Sequence, residues 1–202
     1  MTFNSVKKEM VVKDVIGAVK MALENMDKKY CNPSKLVYSE LWKSVTDKLE
    51  KEKYLERPFA YEFYHQLRRL MDEGCVDFDG PIVQAEVNKA YQHIFEKGKI
   101  PDFIIHIPNT NKNLAVIEFK LASNLEKIQK DFEKMLEFKS PPLNYEHLIE
   151  VIIGDRDSLE KAMEQIKNLN NLQGEKITII KFNMDSRKVE ESEIRFKSTK
   201  KL

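Results

Sequence analysis

Three residues, Asp102, Glu118 and Lys120, are of types and at spacings that could do chemistry together. Glu118 and Lys120 stand two apart in LAVIEFKL (114–121), a run that is otherwise almost wholly apolar. Side chains along a strand repeat with period two, so both fall on one face. In a central strand covered by helices that face is buried, and an unpaired buried charge costs several kcal/mol, so compensation must lie close by. A structural ion pair, or an edge strand with one wet face, would account for the pattern equally well. The preceding run, DFIIHI (102–107), opens on Asp102, its only carboxylate, and residues 103–117 separate that carboxylate from Glu118. Pro108-Asn109-Thr110-Asn111-Lys112-Asn113 lies between the runs and is rich in turn formers, which predicts an antiparallel hairpin that brings Asp102 near Glu118. Two carboxylates held together repel, and a cation relieves them. Oxygen ligands alone select a hard ion, Mg²⁺ first and Mn²⁺ second, whereas Zn²⁺ is disfavoured without a His/Cys cluster. Lys120 cannot coordinate a metal, but beside one it could orient or help deprotonate a bound water and stabilise charge developing on a phosphate.

The elements that must position these residues follow from periodicity. Val11, Val15, Val19 and Leu23 recur at helical steps, as do Val37, Leu41, Val45 and Leu49 after Asn32-Pro33-Ser34, so two amphipathic helices open the chain. A third is predicted between Glu56 and Glu73, with Pro58 suited to its first turn and Gly74 to its end. IVQAEVN (82–88), DFIIHI and LAVIEFKL then read as three consecutive strands. A helix over 124–139, a strand HLIEVII (147–153), a helix over 158–169 and a strand KITIIKF (176–182) complete the order. This is an α/β reading, a mixed sheet with helices on its faces. The expected domains are an N-terminal helical extension over 1–56, a core over 57–185 and a polar basic tail over 186–202.

Composition bounds the function classes. At 202 residues and 42% apolar content the chain suits one domain with an appendage rather than two full domains. With 34 Lys+Arg against 33 Asp+Glu there is no global field that would announce nucleic acid or a membrane, so a polyanion site must be local. No apolar run reaches membrane-spanning length, and Asn4, Lys7, Lys8 and Glu9 interrupt the apolar stretch that a secretory leader would need, so none is expected. Two cysteines, Cys31 and Cys75, make no disulfide framework, and a cytoplasmic protein with reduced thiols is expected.

Pro101-Asp102, a spacer, then Glu118-Phe119-Lys120 resembles the signature of the PD-(D/E)XK nuclease superfamily, the restriction-endonuclease-like fold. The family's α-β-β-β-α-β core matches residues 57–153 in element order, about half of the chain. The resemblance implies metal ligands at Asp102 and Glu118, the backbone carbonyl of Phe119 as a further ligand, and Lys120 beside the attacking water. It also implies a metal-dependent nuclease, with Mg²⁺ or Mn²⁺ as cofactor and DNA as the expected partner, in a restriction, repair or defence setting; pairing into a homodimer fits the same likeness. The alternative is a catalytically inactive nucleic-acid-binding or assembly module of the same fold. Many members add an acidic residue from the helix before the first core strand. Glu62 is the candidate, since it falls about 60° outside Phe59, at the edge of the apolar stripe.

Glu86 and Gln84 on run 82–88 share a face and could lie near the metal or meet water. His65 and His106 lack a Cys/His set or a triad neighbour, so they read as structural or exposed. The Gln-x-x-x-Tyr of RecB-type exonucleases is absent, because Gln129 is followed four later by Glu133. Lys127, Lys130 and Lys134 form a helical stripe that Asp131, Glu133 and Glu137 counterbalance, which reads as a solvated face. The basic tail could contact nucleic acid, and Trp42 and the tyrosines around 54–64 could stack on bases, with core packing the default for them.

Overall fold

The computed structural model describes residues 11–27, 30, 56–86, 100–124, 128–171 and 173–197. The second expected helix, around 37–49, lies outside them, as do Cys31, Trp42 and Lys127. Helix α1 (Val15–Asn25) starts where Asp14, in extended backbone, accepts the Gly17 N–H at 2.6 Å and so satisfies one of the helix's unpaired amides. Helix α2 (Glu56–Asp72) carries Pro58 in its first turn and buries Phe59, Phe63, Leu67 and Leu70 along one side.

Six strands follow, broken by two helices: β1 (Ile82–Ala85), β2 (Phe103–His106), β3 (Asn113–Leu121), α3 (Ile128–Lys139), β4 (His147–Gly154), α4 (Arg156–Asn168), β5 (Glu175–Asn183) and β6 (Val189–Phe196). They form one mixed sheet in sequence order, antiparallel between β1, β2 and β3, parallel from β3 through β4 to β5, and antiparallel again at β6. Each parallel step is bridged by a helix, as a parallel pair requires. The expected hairpin is present, with Phe103 opposite Ile117 and Ile104 opposite Val116.

Alternation along the strands divides the interior in two. Ala115, Ile117 and Phe119 of β3 join α1 and α2 in one apolar cluster. Val116 joins α3 and α4 in the other, with Ile104, Leu148 and Ile152. Glu118 and Lys120 continue the Val116 side, so they lie under the second helix layer.

Two expected boundaries shift. Helix α1 is not an appendage: Val15, Ala18, Val19, Ala22 and Leu23 are buried in the same cluster as Phe59 and Phe119, because an apolar stripe four residues apart needs a partner to cover it. The tail does not stay a tail over 189–196, where β6 runs along the free side of β5. Ile194 and Phe196 are buried there while Glu191, Glu193 and Arg195 face outward, a half-buried alternation that the high charge of the segment concealed.

Candidate active site

The carboxylate of Asp102 sits just ahead of β2, and its Oδ2 accepts the backbone N–H of Phe119 at 2.7 Å. That bond pins Asp102 against β3 at Phe119, the residue between Glu118 and Lys120 in sequence. Phe119 therefore enters the site by its backbone, while its ring points to the opposite, aromatic layer. In an extended strand the amide and carbonyl of one residue face the same neighbour, so the Phe119 carbonyl faces Asp102's side as well. The register that sets Phe103 against Ile117 puts Pro101 opposite Phe119, and proline has no N–H to offer that carbonyl.

Glu118 is 3% exposed and lies in register beside Glu150 of β4, which is fully buried. Lys134 reaches across from α3, its Nζ 2.7 Å from Glu118 Oε1. Lys120 is drawn elsewhere, to Asp131 Oδ2 of α3 at 3.0 Å and Glu56 Oε2 of α2 at 3.8 Å. The end of the β2–β3 hairpin thus gathers five carboxyl groups and two ammonium groups in a largely dry space.

The titration behaviour follows from that crowding. Burial pushes the Glu118 carboxyl up to about 8; Lys134 pulls it down, while Asp102 and Asp131 push it further up. Burial likewise raises Asp102, opposed by the Phe119 N–H and by Lys134 and Lys120. Burial raises Glu56 as well, with Lys120 opposing, and it raises Glu150 well above the usual carboxylate range, helped by Asp131 and Glu118. Burial pulls the Lys120 ammonium down, but Asp131 and Glu56 outweigh it and hold the group up at about 12. Lys120 is a fixed cation at neutral pH, whereas Glu118 and Glu150 are held toward their protonated, uncharged forms there.

The residues that could hold a hard divalent cation offer oxygens only: the carboxyls of Asp102 and Glu118, which influence one another electrostatically, and the Phe119 carbonyl. Among the described residues no three His, Cys, Asp or Glu side chains converge as a ready ligand set. The remaining positions around an ion would fall to water and substrate oxygens, the habit of Mg²⁺.

The other expected residues divide. Glu62 is not part of the cluster: it lies about 9 Å along α2 from Glu56, where Oε1 accepts the Asp27 N–H at 3.0 Å and the Gln66 side-chain amide at 2.6 Å. It ties α2 to the end of α1, and Glu56 is the acidic residue this helix presents to the site. Position along the helix axis, more than angle around it, decides which residue reaches the strand ends. Glu86 stands beside Asp102 through the backbone, its N–H donating to the Asp102 carbonyl at 2.9 Å. Its φ of 48° turns the exposed side chain toward a cleft shared with Glu56, Arg57, Tyr61 and Asp102. Gln84 is held by His106, away from the carboxylates, and His106 is accordingly a structural histidine; His65 is exposed.

Sequence reasoning missed Glu56, Asp131, Lys134 and Glu150. Glu150 had a usable signal, as the one acid within HLIEVII. Asp131 and Lys134 read as part of a solvated face, but among the described residues of that stripe Lys130 is exposed while Asp131 and Lys134 are partly buried and Glu133 is buried.

Comparison with protein-family models, with curated proteins and with solved structures gives no match. Geometry and chemistry therefore carry the functional reading. Among the described residues no helix is long and apolar enough to cross a membrane.

Proposed function

We propose that this chain is a metal-dependent nuclease of the PD-(D/E)XK type, hydrolysing phosphodiester bonds in nucleic acid, with DNA as the expected substrate and the cytoplasm as its place of action. One observation carries the reading: Asp102, locked to the Phe119 amide, shares a buried electrostatic environment with Glu118 and Lys120 at one end of the β2–β3 hairpin. A divalent ion bound by the two carboxylates would polarise the scissile phosphate and lower the pKa of a bound water.

The chain's own residues supply the rest. The Asp102 carboxylate is oriented by a backbone N–H donor fixed within the sheet, so its oxygens are placed before substrate arrives. Lys120, held charged by Asp131 and Glu56, sets a positive charge beside the attacked phosphorus, where negative charge develops. Tyr61, 56% exposed at the lip of the Asp102 cleft, is placed to stack on a base.

A second reading, an inactive nucleic-acid-binding module of the same fold, draws on a different observation: both ammonium groups already have carboxylate partners, so the charges are internally matched. Plasmid cleavage separates the two. The nuclease reading expects Mg²⁺- or Mn²⁺-stimulated nicking or linearisation that falls at least about a hundredfold in Asp102→Asn and in Lys120→Ala, the order of loss expected when one group that stabilises developing charge is removed. Retained DNA binding with no metal-stimulated cutting would favour the module. Cleavage unchanged in both variants would remove the proposed site.

A further inference from the structure

Lys134 of α3 is already paired with Glu118, one of the two carboxyls that the nuclease reading assigns to a metal. Its Nζ lies 2.7 Å from Glu118 Oε1 and 3.4 Å from the Ile100 carbonyl, and it is the leading cationic influence on Asp102. One ammonium group therefore pairs with Glu118, and its charge also favours the ionised form of Asp102. Lys120 does not compete for this place, being engaged by Asp131 and Glu56.

We propose that Lys134 is the resident counter-ion of the site and has to be expelled from Glu118 before a divalent cation can bind, so that this lysine sets the site's metal affinity; the inference rests on the metal-dependent reading above. A divalent ion and an ammonium group within about 3 Å of the same carboxylate oxygen repel in a poorly solvated space, so the two states exclude one another. The lysine has a route out: its side chain is 22% exposed, and a four-carbon stem lets the charged end move to water while the stem stays packed. Once released, the ammonium stands at the edge of the site as a mobile point charge that an incoming phosphate can pair with. The exchange keeps Glu118 compensated when metal is absent and delivers a phosphate-binding cation when metal is present.

Titration calorimetry with Mn²⁺ on the full chain tests this, run in two buffers of different ionisation enthalpy so that any proton released from Glu118 on binding is counted separately. Lys134→Met is expected to bind Mn²⁺ at least about tenfold more tightly than the unaltered chain, because the competing ion pair is gone. Lys130→Met, an exposed neighbour on the same helix, is expected to bind as the unaltered chain does. An affinity that is unchanged or weaker in Lys134→Met overturns the proposal while leaving the nuclease reading in place, and no Mn²⁺ binding in either chain overturns both. If Lys134→Met does not fold, the unaltered chain decides: acetylation of Lys134 by an amine-reactive ester, read by mass spectrometry, is expected to rise when Mn²⁺ is added. Acetylation that stays level or falls while Mn²⁺ binds contradicts the exchange.

Discussion

Strand β3 shows two different interiors on its two sides. On one, Phe119 meets Phe59, Phe63 and Phe103 with ring centroids 5.7, 4.9 and 5.5 Å apart, in tilted and edge-on pairs that suit aromatic quadrupoles. On the other, one residue away in either direction, Glu118 and Lys120 sit among Glu150, Asp131 and Lys134. The aromatic side is what a chain selected only to fold would build. Charged groups on the other side lower stability unless matched, and their close spacing in a dry layer is the feature from which the nuclease proposal starts. The sheet separates the two tasks, so one layer can hold the strand ends still while the other carries strained electrostatics.

The largest break in this contrast should come from exchanging like for unlike. Phe119→Ala is expected to lower unfolding stability by about 3–5 kcal/mol in urea denaturation, since the aromatic cluster cannot close over the missing ring. Glu150→Met, at similar depth on the other side, is expected to raise stability by about 1–3 kcal/mol, because a carboxyl whose oxygens find no hydrogen-bond donor is replaced by an apolar chain of similar size. A loss of stability in Glu150→Met would show that the charged layer is a structural network.

A smaller effect should appear as pH dependence. The folded chain keeps a proton on Glu118 up to about 8, whereas the unfolded chain releases it near the ordinary value of 4.5. The stabilisation linked to that proton is complete below about 4.5 and is lost as pH rises to about 8. Between pH 5 and 8.5 the unaltered chain is expected to lose several kcal/mol more than Glu118→Gln. Denaturation midpoints for the two chains at both pH values provide the check, and parallel slopes would contradict a buried, protonated Glu118.

The legible parts of the molecule were those in which pattern and burial agree. Val15, Val19 and Leu23, or the unbroken run from Leu148 to Ile153 apart from its glutamate, state their element and their depth directly. The pair Asp102 and Glu118 was legible because a carboxylate in an apolar strand is costly wherever the strand goes. What could not be read was which distant charges would meet them. Glu62 and Glu56 both sit on α2, and only the axial placement of that helix over the sheet selects Glu56. Lys134 and Lys130 are equivalent as letters in a charged helix, yet the rotation of α3 that buries Ile128, Phe132 and Met135 carries Lys134 inward and leaves Lys130 in water. Strand β6 escaped notice for the complementary reason, an edge strand whose outward residues are nearly all charged.

The claim on which the account depends is that Asp102 and Glu118 hold one divalent ion between them. A crystal of the chain soaked in Mn²⁺, with anomalous scattering collected at the manganese edge, addresses it directly. The account predicts a single strong peak within bonding distance of both carboxylates and near the Phe119 carbonyl. Manganese found only on surface acids such as Asp79, with Lys134 still seated on Glu118, would contradict it.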